Sequence, residues 1–162
     1  MGRMQLAVLT VSDRCAGGLA EDTAGPVVAQ MLRQNWPQAE ILTALLPDDE
    51  DLLILQLNHW AGGDVALVLT VGGTGLGPRD HTPEATRRVI DREATGLAEA
   101  MRAYGAQKNA FSWLSRGVAG LARNTLIVNL PGSKRGAQES LECILPLLRH
   151  ALEVIAGGQT HP

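Results

Sequence analysis

The most hydrophobic run of the chain, residues 65–71, leads directly into Gly72, Gly73, Thr74 and Gly75, which together are called the glycine loop. A continuous apolar run of this length is typical of a strand that is buried on both faces of a parallel sheet. Parallel strands need crossover connections, and these are usually helices. This one feature therefore favours an α/β architecture.

The rest of the chain has the alternation that such a fold requires. Residues 6–11, 41–46 and 125–129 are short apolar runs typical of strands. Apolar spacing and start signals predict helices over residues 23–35, 49–60, 82–92, 97–104 and 137–156. In the third of these, Thr82 is the predicted cap and Pro83 the first helical residue. The pattern predicts one three-layer α/β domain over residues 1–162, with a mostly parallel sheet flanked by helices.

Composition excludes several function classes. A formal net charge of −3 and an aromatic content of 3% argue against a general nucleic-acid binder, which needs a basic face and stacking platforms. No apolar stretch approaches the roughly 20 residues of a membrane span, and the first apolar run lacks a signal-peptide cleavage site. We expect a cytoplasmic protein with two free thiols, Cys15 and Cys143, and a frayed tail over residues 159–162.

Small, hydroxyl and acidic residues follow each predicted strand. In open α/β sheets, ligands bind at the carboxyl ends of the strands. The candidates at these ends are Ser12 and Asp13 after the first strand, Asp48 after the second, the glycine loop and Asp80 after the central strand, and Pro131, Gly132 and Ser133 after the last. We expect the four ends to meet at one rim.

The glycine loop can bring backbone N–H groups close to a phosphate. It matches neither familiar phosphate motif, because Pro78 replaces the last glycine of G-x-G-x-x-G and the chain has no Gly-Lys dipeptide. A dinucleotide-dependent dehydrogenase or a P-loop kinase is therefore disfavoured. A tight turn without a ligand stays open as an alternative.

Asp48 and Asp80 are the candidate ligands of Mg²⁺, which prefers carboxylate oxygens together with substrate phosphates. Each one alone could instead be a helix cap or a solvated loop residue. Ser133 could bind an anion, cap the last helix, or do both. Arg79 and Arg116 could neutralise phosphate or form surface ion pairs. Asp49, Glu50 and Asp51 are assigned to the helix dipole, and the four histidines share no metal-ligand spacing.

Five blocks of sequence occur in an order that resembles the molybdopterin adenylyltransferase family, which includes the G domain of gephyrin. They are LTVSDRCAGGLAEDTAG (9–25), LPDDE (46–50), LTVGGTGLGPRDHTPEAT (69–86), LSRGVAG (114–120) and TLIVNLPGSKRGAQESLE (125–142). The resemblance covers about residues 5–156. It implies a homotrimer that transfers the adenylyl group of Mg·ATP to molybdopterin, followed by molybdenum insertion by another domain or protein.

The resemblance also implies roles for individual residues. Asp80 and Asp48 match the catalytic, metal-binding aspartates, while the glycine loop, Ser12 and Asp13 match nucleotide and phosphate contacts. Ser115, Arg116, Pro131, Gly132 and Ser133 match the pterin side. His81 departs from the family, whose members commonly have an apolar residue there; it could alter the pH response or simply face solvent. A non-catalytic molybdopterin-binding or scaffold protein is the main alternative, and a nucleotide-hydrolysing relative is another.

Overall fold

The computed structural model describes residues 2–158, so the predicted fraying of residues 159–162 lies outside the described part. The strands are β1 (Gln5–Val11), β2 (Glu40–Leu46), β3 (Val65–Val71), β4 (Arg92–Glu93), β5 (Ala119–Ala122) and β6 (Thr125–Leu130). The helices are α1 (Asp13–Ala16), α2 (Ala24–Asn35), α3 (Glu50–Ala61), α4 (Thr82–Val89), α5 (Thr95–Ala106) and α6 (Lys134–Ile155), with a 3-10 turn at Ala110–Leu114.

The six strands form one sheet in the order β2-β1-β3-β6-β5-β4. The pairs β1–β2, β1–β3 and β3–β6 are parallel, whereas β5 runs antiparallel to β6 and to β4. The predicted mostly parallel α/β fold is confirmed. The four parallel strands all end at the same edge of the sheet, and the segment before β5 reaches that edge because β5 runs in the opposite direction.

Side chains that alternate along the strands divide the core into two layers. Leu6 and Val8 of β1 pack in a cluster with α2, α5 and α6, whereas Ala7 and Leu9 pack with α3 and α4 on the other face. Residues of β3 and β6 divide in the same way, so the sheet is covered on both faces. This explains why β3 has no polar alternation.

Several predicted boundaries are wrong. Helix α4 ends at Val89 rather than near residue 92, because Ile90 is extended and Arg92–Glu93 pairs with β5. His81 occupies the cap position of α4, so Thr82 is already helical; its hydroxyl donates to the Gly72 carbonyl at 2.9 Å instead of capping the helix. Helix α6 begins at Lys134, three residues earlier than predicted.

Two simpler predictions are confirmed. Cys15 and Cys143 are both free. The predicted acidic start of α3 is present, since Glu50 and Asp51 lie in its first turn. Asp49 precedes that turn and caps the helix by accepting a hydrogen bond from the Leu52 amide at 3.1 Å. Within residues 2–158, no helix combines the length and the apolar character needed to cross a membrane.

Candidate functional site

The glycine loop is shaped by close approach of three strand ends. Gly72 and Gly73 have φ angles of 108° and 68°, the left-handed region that favours glycine. A Cβ atom on Gly72 would lie 2.3 Å from the Val11 carbonyl oxygen at the end of β1. A Cβ on Gly132, which follows β6, would lie 3.2 Å from the Gly72 Cα. The predicted convergence of strand ends is therefore present, with backbone packed against backbone.

Arg116 holds this loop in place. Its backbone amide donates to the Thr74 carbonyl, its Nε to the Gly75 carbonyl and its Nη2 to the Asp80 carbonyl, each at 2.8 Å. Its Nη1 pairs with the Glu84 carboxylate of α4, and this ion pair lowers the pKa of Glu84. Because most of the guanidinium donors already have protein partners, the geometry favours a positioning role for Arg116 over a direct substrate contact.

Asp80 closes the far end of the loop. Its Oδ2 accepts a hydrogen bond from the Gly77 amide at 2.8 Å. A Cβ on Gly75 would lie 2.9 Å from the same oxygen, so the carboxylate lies directly against the loop backbone. The remaining carboxylate oxygen, Oδ1, makes no hydrogen bond within residues 2–158.

A cleft of about 780 Å³ opens on one side of the loop. Its walls contain eight of the predicted site residues: Gly73, Thr74, Gly75, Asp80, Ser115, Pro131, Gly132 and Ser133. Ser133 also caps α6, since its hydroxyl accepts from the Gly136 amide at 3.1 Å. The cap interpretation is confirmed, and the N-terminus of a 22-residue helix lies at the cleft wall.

The cleft also has cationic residues that sequence reasoning missed. Lys108 and Arg135 line it and share the Glu139 carboxylate, at 3.4 Å and 2.8 Å. Arg102 lines it too, but its Nη1 donates to the Ser115 and Gly117 carbonyls at 3.3 and 2.8 Å. Of these contacts only the i,i+4 spacing of Arg135 and Glu139 is visible in the sequence.

Ser12, Asp13 and Asp48 lie outside the walls of this cleft. Ser12 caps the short helix α1 by accepting from the Cys15 amide at 3.2 Å. Asp13 and Asp48 are reciprocally bonded: the Asp48 amide donates to Asp13 Oδ1 at 3.0 Å, and the Asp13 amide donates to Asp48 Oδ2 at 3.1 Å. The ends of β1 and β2 are thereby fixed to each other.

Arg79 completes this arrangement. Its Nε donates to Asp13 Oδ2 at 2.6 Å and its Nη2 to Asp13 Oδ1 at 3.1 Å. Nη2 also donates to the Asp48 backbone carbonyl at 3.1 Å. This contact holds the pKa of Asp13 below its ordinary value. The predicted ion-pair alternative for Arg79 is present in the structure.

Asp48 is a buried carboxylate with one unpaired oxygen. Its residue surface is 9% exposed, and its Oδ1 makes no hydrogen bond among the described residues. A Cβ on Gly73 would lie 3.0 Å from this oxygen, so Oδ1 is adjacent to the glycine loop. Burial raises the pKa of Asp48, and the charges of Asp13 and Asp80 raise it further. Such a group is stabilised by an added cation.

This environment fits a magnesium ion. Asp48 offers a carboxylate oxygen without a partner, and Asp80 is close enough for its charge to act on Asp48. Within residues 2–158, no group of three or more His, Cys, Asp or Glu side chains is arranged to hold a metal ion. A small number of protein ligands suits Mg²⁺, which commonly binds one or two carboxylates, substrate phosphates and waters.

His81, the departure noted in the sequence, lies close to two acidic groups. Its charge contributes to lowering the pKa values of both Asp13 and Glu84. Its side chain makes no hydrogen bond to cap α4. His81 therefore lies on the acidic side of the loop and is only partly buried.

Comparison with known proteins shows which family this chain resembles. Residues 7–150 match the family described as a probable molybdopterin binding domain. The chain is 36% identical over 156 residues to the molybdenum cofactor synthesis protein cinnamon of Drosophila melanogaster, a match that covers 96% of this chain and 26% of that protein. It is 33% identical over 160 residues to the molybdopterin adenylyltransferase of Helicobacter pylori strain 26695, covering 98% and 91% of the two chains.

Among solved structures, the molybdopterin biosynthesis enzyme MoaB from Thermus thermophilus is similar with a TM-score of 0.86 and 46% sequence identity. That match covers 95% of this chain and 97% of the other. The chain spans about half the length of two bacterial relatives that are named bifunctional. It belongs to the molybdopterin-binding domain family of molybdenum cofactor biosynthesis.

Proposed function

We propose that the protein transfers the adenylyl group of Mg·ATP to the terminal phosphate of molybdopterin, giving adenylyl-molybdopterin and pyrophosphate. An oxygen of the pterin phosphate attacks the α-phosphorus of ATP. The bond from that phosphorus to the oxygen bridging to the β-phosphate breaks, and pyrophosphate leaves with the electron pair. The names of relatives from Helicobacter pylori and Escherichia coli support this reaction.

The observation that carries the proposal is that Gly73 borders both the cleft and a carboxylate outside it. Gly73 lines the 780 Å³ cleft together with Asp80. It also lies against the unpaired Oδ1 of Asp48, which is not part of the cleft wall. A reaction between two phosphorylated substrates needs two binding regions that meet at one charged centre. It needs alignment and charge compensation more than a side-chain nucleophile.

Each predicted residue has a place in this scheme. Asp48 and Asp80 hold the magnesium ion, which when bound compensates phosphate charge. The amides of the glycine loop, with Ser12 and Asp13, bind the nucleotide. Ser115, Pro131, Gly132 and Ser133 hold the pterin in the cleft, and Arg116 keeps the glycine loop in the conformation that both substrates need.

Cytoplasmic location, a homotrimeric assembly and a separate molybdenum-inserting domain or protein are parts of the same proposal. Light scattering at micromolar concentration tests the assembly, because a mass near 17.2 kDa would be that of a monomer. A co-precipitation partner that accepts adenylyl-molybdopterin would identify the downstream step.

Pterin binding without turnover is the second candidate function. It is favoured by one observation: Asp48 lies outside the cleft, so the cleft could hold a pterin without it. The two candidates differ in ATP consumption. Tight pterin binding with no ATP consumed in the presence of Mg²⁺ would support the binding protein, whereas ATP cleavage without pterin would indicate a nucleotide hydrolase.

Pyrophosphate release tests the proposal. We expect release that requires ATP, Mg²⁺ and molybdopterin together, and a loss of roughly 100-fold or more in Asp80→Asn. The matched control is Asp64→Asn, since Asp64 is exposed and precedes β3 at the opposite edge of the sheet. Equal rates of pyrophosphate release in the two variants would show that Asp80 has no role in the reaction.

A further inference from the structure

The Arg79 guanidinium binds the Asp13 side chain and the Asp48 backbone, just beyond the ends of β1 and β2. Its fork grips both oxygens of Asp13, and the same group reaches the carbonyl of Asp48. Asp13 and Asp48 are themselves bonded to each other through their amides. One monovalent cation is therefore shared by the whole Asp13–Asp48 pair.

This arrangement leaves part of the Arg79 guanidinium and one oxygen of the Asp48 carboxylate without a hydrogen-bond partner within residues 2–158. Asp48 Oδ1 has no hydrogen-bond partner although the residue is more than nine-tenths buried. The Nη1 group of Arg79 makes no hydrogen bond within residues 2–158, and the Arg79 side chain is 64% exposed. A buried carboxylate oxygen without a partner is unfavourable. Because Arg79 does not contact this oxygen, a divalent cation can still bind there and stabilise it.

Charge balance sets how the two cations interact. Asp13, Asp48 and Asp80 carry three negative charges around the loop, and within residues 2–158 the Arg79 guanidinium is the cation that hydrogen-bonds to the Asp13–Asp48 pair. A divalent cation at Asp48 Oδ1 would be repelled by the guanidinium at the neighbouring carbonyl. It would also weaken the attraction that Asp13 exerts on Arg79. The two cations contact different atoms of the Asp13–Asp48 pair, so they oppose each other through charge repulsion.

We propose that Arg79 is a resident counter-ion that holds the Asp13–Asp48 pair before a divalent cation binds at Asp48 Oδ1, and that it then moves to the nucleotide phosphates. Guanidinium forks bind phosphate oxygens through two parallel hydrogen bonds, so phosphate is a suitable second partner. Exposure and the two free donors of Nη1 leave room for this transfer. The second half of the inference rests on the proposed nucleotide substrate.

The proposal requires effects of opposite sign in one variant. Removing the Arg79 charge tightens binding of the metal alone, because the repulsion is lost. Removing the phosphate ligand weakens binding of the metal–nucleotide complex. A purely structural role, in which Arg79 only ties the loop to β1 and β2, would weaken both. The signs therefore separate the two roles without any measurement of turnover.

The first measurement is titration of the protein with Mn²⁺ and no nucleotide, followed by the loss of the free Mn²⁺ signal in electron paramagnetic resonance. We expect Arg79→Ala to bind Mn²⁺ roughly two- to fivefold more tightly than wild type, the scale of a partly exposed ion pair. Arg79→Gln, which keeps hydrogen-bonding capacity without charge, should shift in the same direction. Arg92→Ala is the matched control, because Arg92 is similarly exposed and pairs with Asp91 at 3.5 Å, beyond the end of α4 that lies away from the loop.

The second measurement is calorimetric titration with Mg²⁺ and a non-hydrolysable ATP analogue. We expect affinity to fall roughly tenfold in Arg79→Ala and to stay unchanged in Arg92→Ala. Unchanged or weaker Mn²⁺ binding in both Arg79 variants would overturn the proposal, and so would unchanged analogue binding. The Mn²⁺ titration involves neither ATP nor pterin. If Arg79→Ala binds Mn²⁺ more tightly but no pyrophosphate is released in the activity assay, adenylyl transfer is rejected while the counter-ion role of Arg79 is retained.

Discussion

Replacing Gly73 by alanine puts a methyl group where the loop has no space for one. The new Cβ would lie 2.2 Å from Thr82 Oγ1 and 3.0 Å from Asp48 Oδ1. The residue has a φ of 68°, which costs an alanine about 1–2 kcal/mol. Displacing the Thr82 hydroxyl also breaks its 2.9 Å bond to the buried Gly72 carbonyl, which costs about 1–3 kcal/mol.

Together these effects predict a loss of about 2–5 kcal/mol in the free energy of unfolding. For a chain of this length that is a fall of about 5–20 °C in Tm. Urea denaturation followed by circular dichroism measures it. The matched control is Gly96→Ala in α5, where nothing lies within 4 Å of the added Cβ. There alanine should stabilise the helix by about 0.5–1 kcal/mol.

A double-mutant cycle isolates the clash. Thr82→Ala removes the hydroxyl that the new methyl group would meet. The loss of unfolding free energy caused by Gly73→Ala should therefore be smaller in the Thr82→Ala background than in wild type, by at least about 1 kcal/mol. Strictly additive costs would refute the steric argument. A Gly73→Ala protein as stable as wild type would refute the described loop geometry altogether.

Three further predictions concern the polar groups around the loop. Asn129→Leu should cost roughly 3–5 kcal/mol by urea denaturation, because Asn129 is buried and its side chain makes three hydrogen bonds to two threonine hydroxyls and a backbone amide. Asp48→Asn should raise Tm at pH 7 without divalent cations and abolish the rise that Mg²⁺ gives wild type. Because the folded-state pKa of Asp48 is raised, its ionisation destabilises the fold at neutral pH, and the advantage of the variant should vanish as pH falls below 3.8. Glu84→Gln should be less stable than wild type at pH 7. The lowered pKa of Glu84 beside Arg116 stabilises the fold above pH 4.5, so the difference should shrink as pH falls below that value, and a constant difference would count against the ion pair.

Much of the fold follows from patterns that the sequence displays directly. The continuous apolar run at β3 predicts a central parallel strand, and the polar residues after each strand predict a common rim. Strand β5 was not predicted because its sequence, AGLA, has no β-branched or aromatic residue. It is a strand only because it pairs with β6 and β4, which is a tertiary effect that local propensity does not contain.

The candidate site divides in the same way. Residue types and strand-end positions identify the glycine loop, Asp48 and Asp80 as candidates for phosphate and metal chemistry. The reciprocal bonds between Asp13 and Asp48 join residues 35 positions apart, and no sequence period encodes that distance. The anchoring of Arg116 to three carbonyls is equally invisible, because backbone acceptors are the same in every residue.

The most direct test of adenylyl transfer is the mass of the pterin product after incubation with ATP and Mg²⁺. We expect molybdopterin to gain one adenylyl group, with one pyrophosphate released for each product molecule formed. An unmodified pterin, or AMP and pyrophosphate formed at the same rate without pterin, would contradict the proposed function.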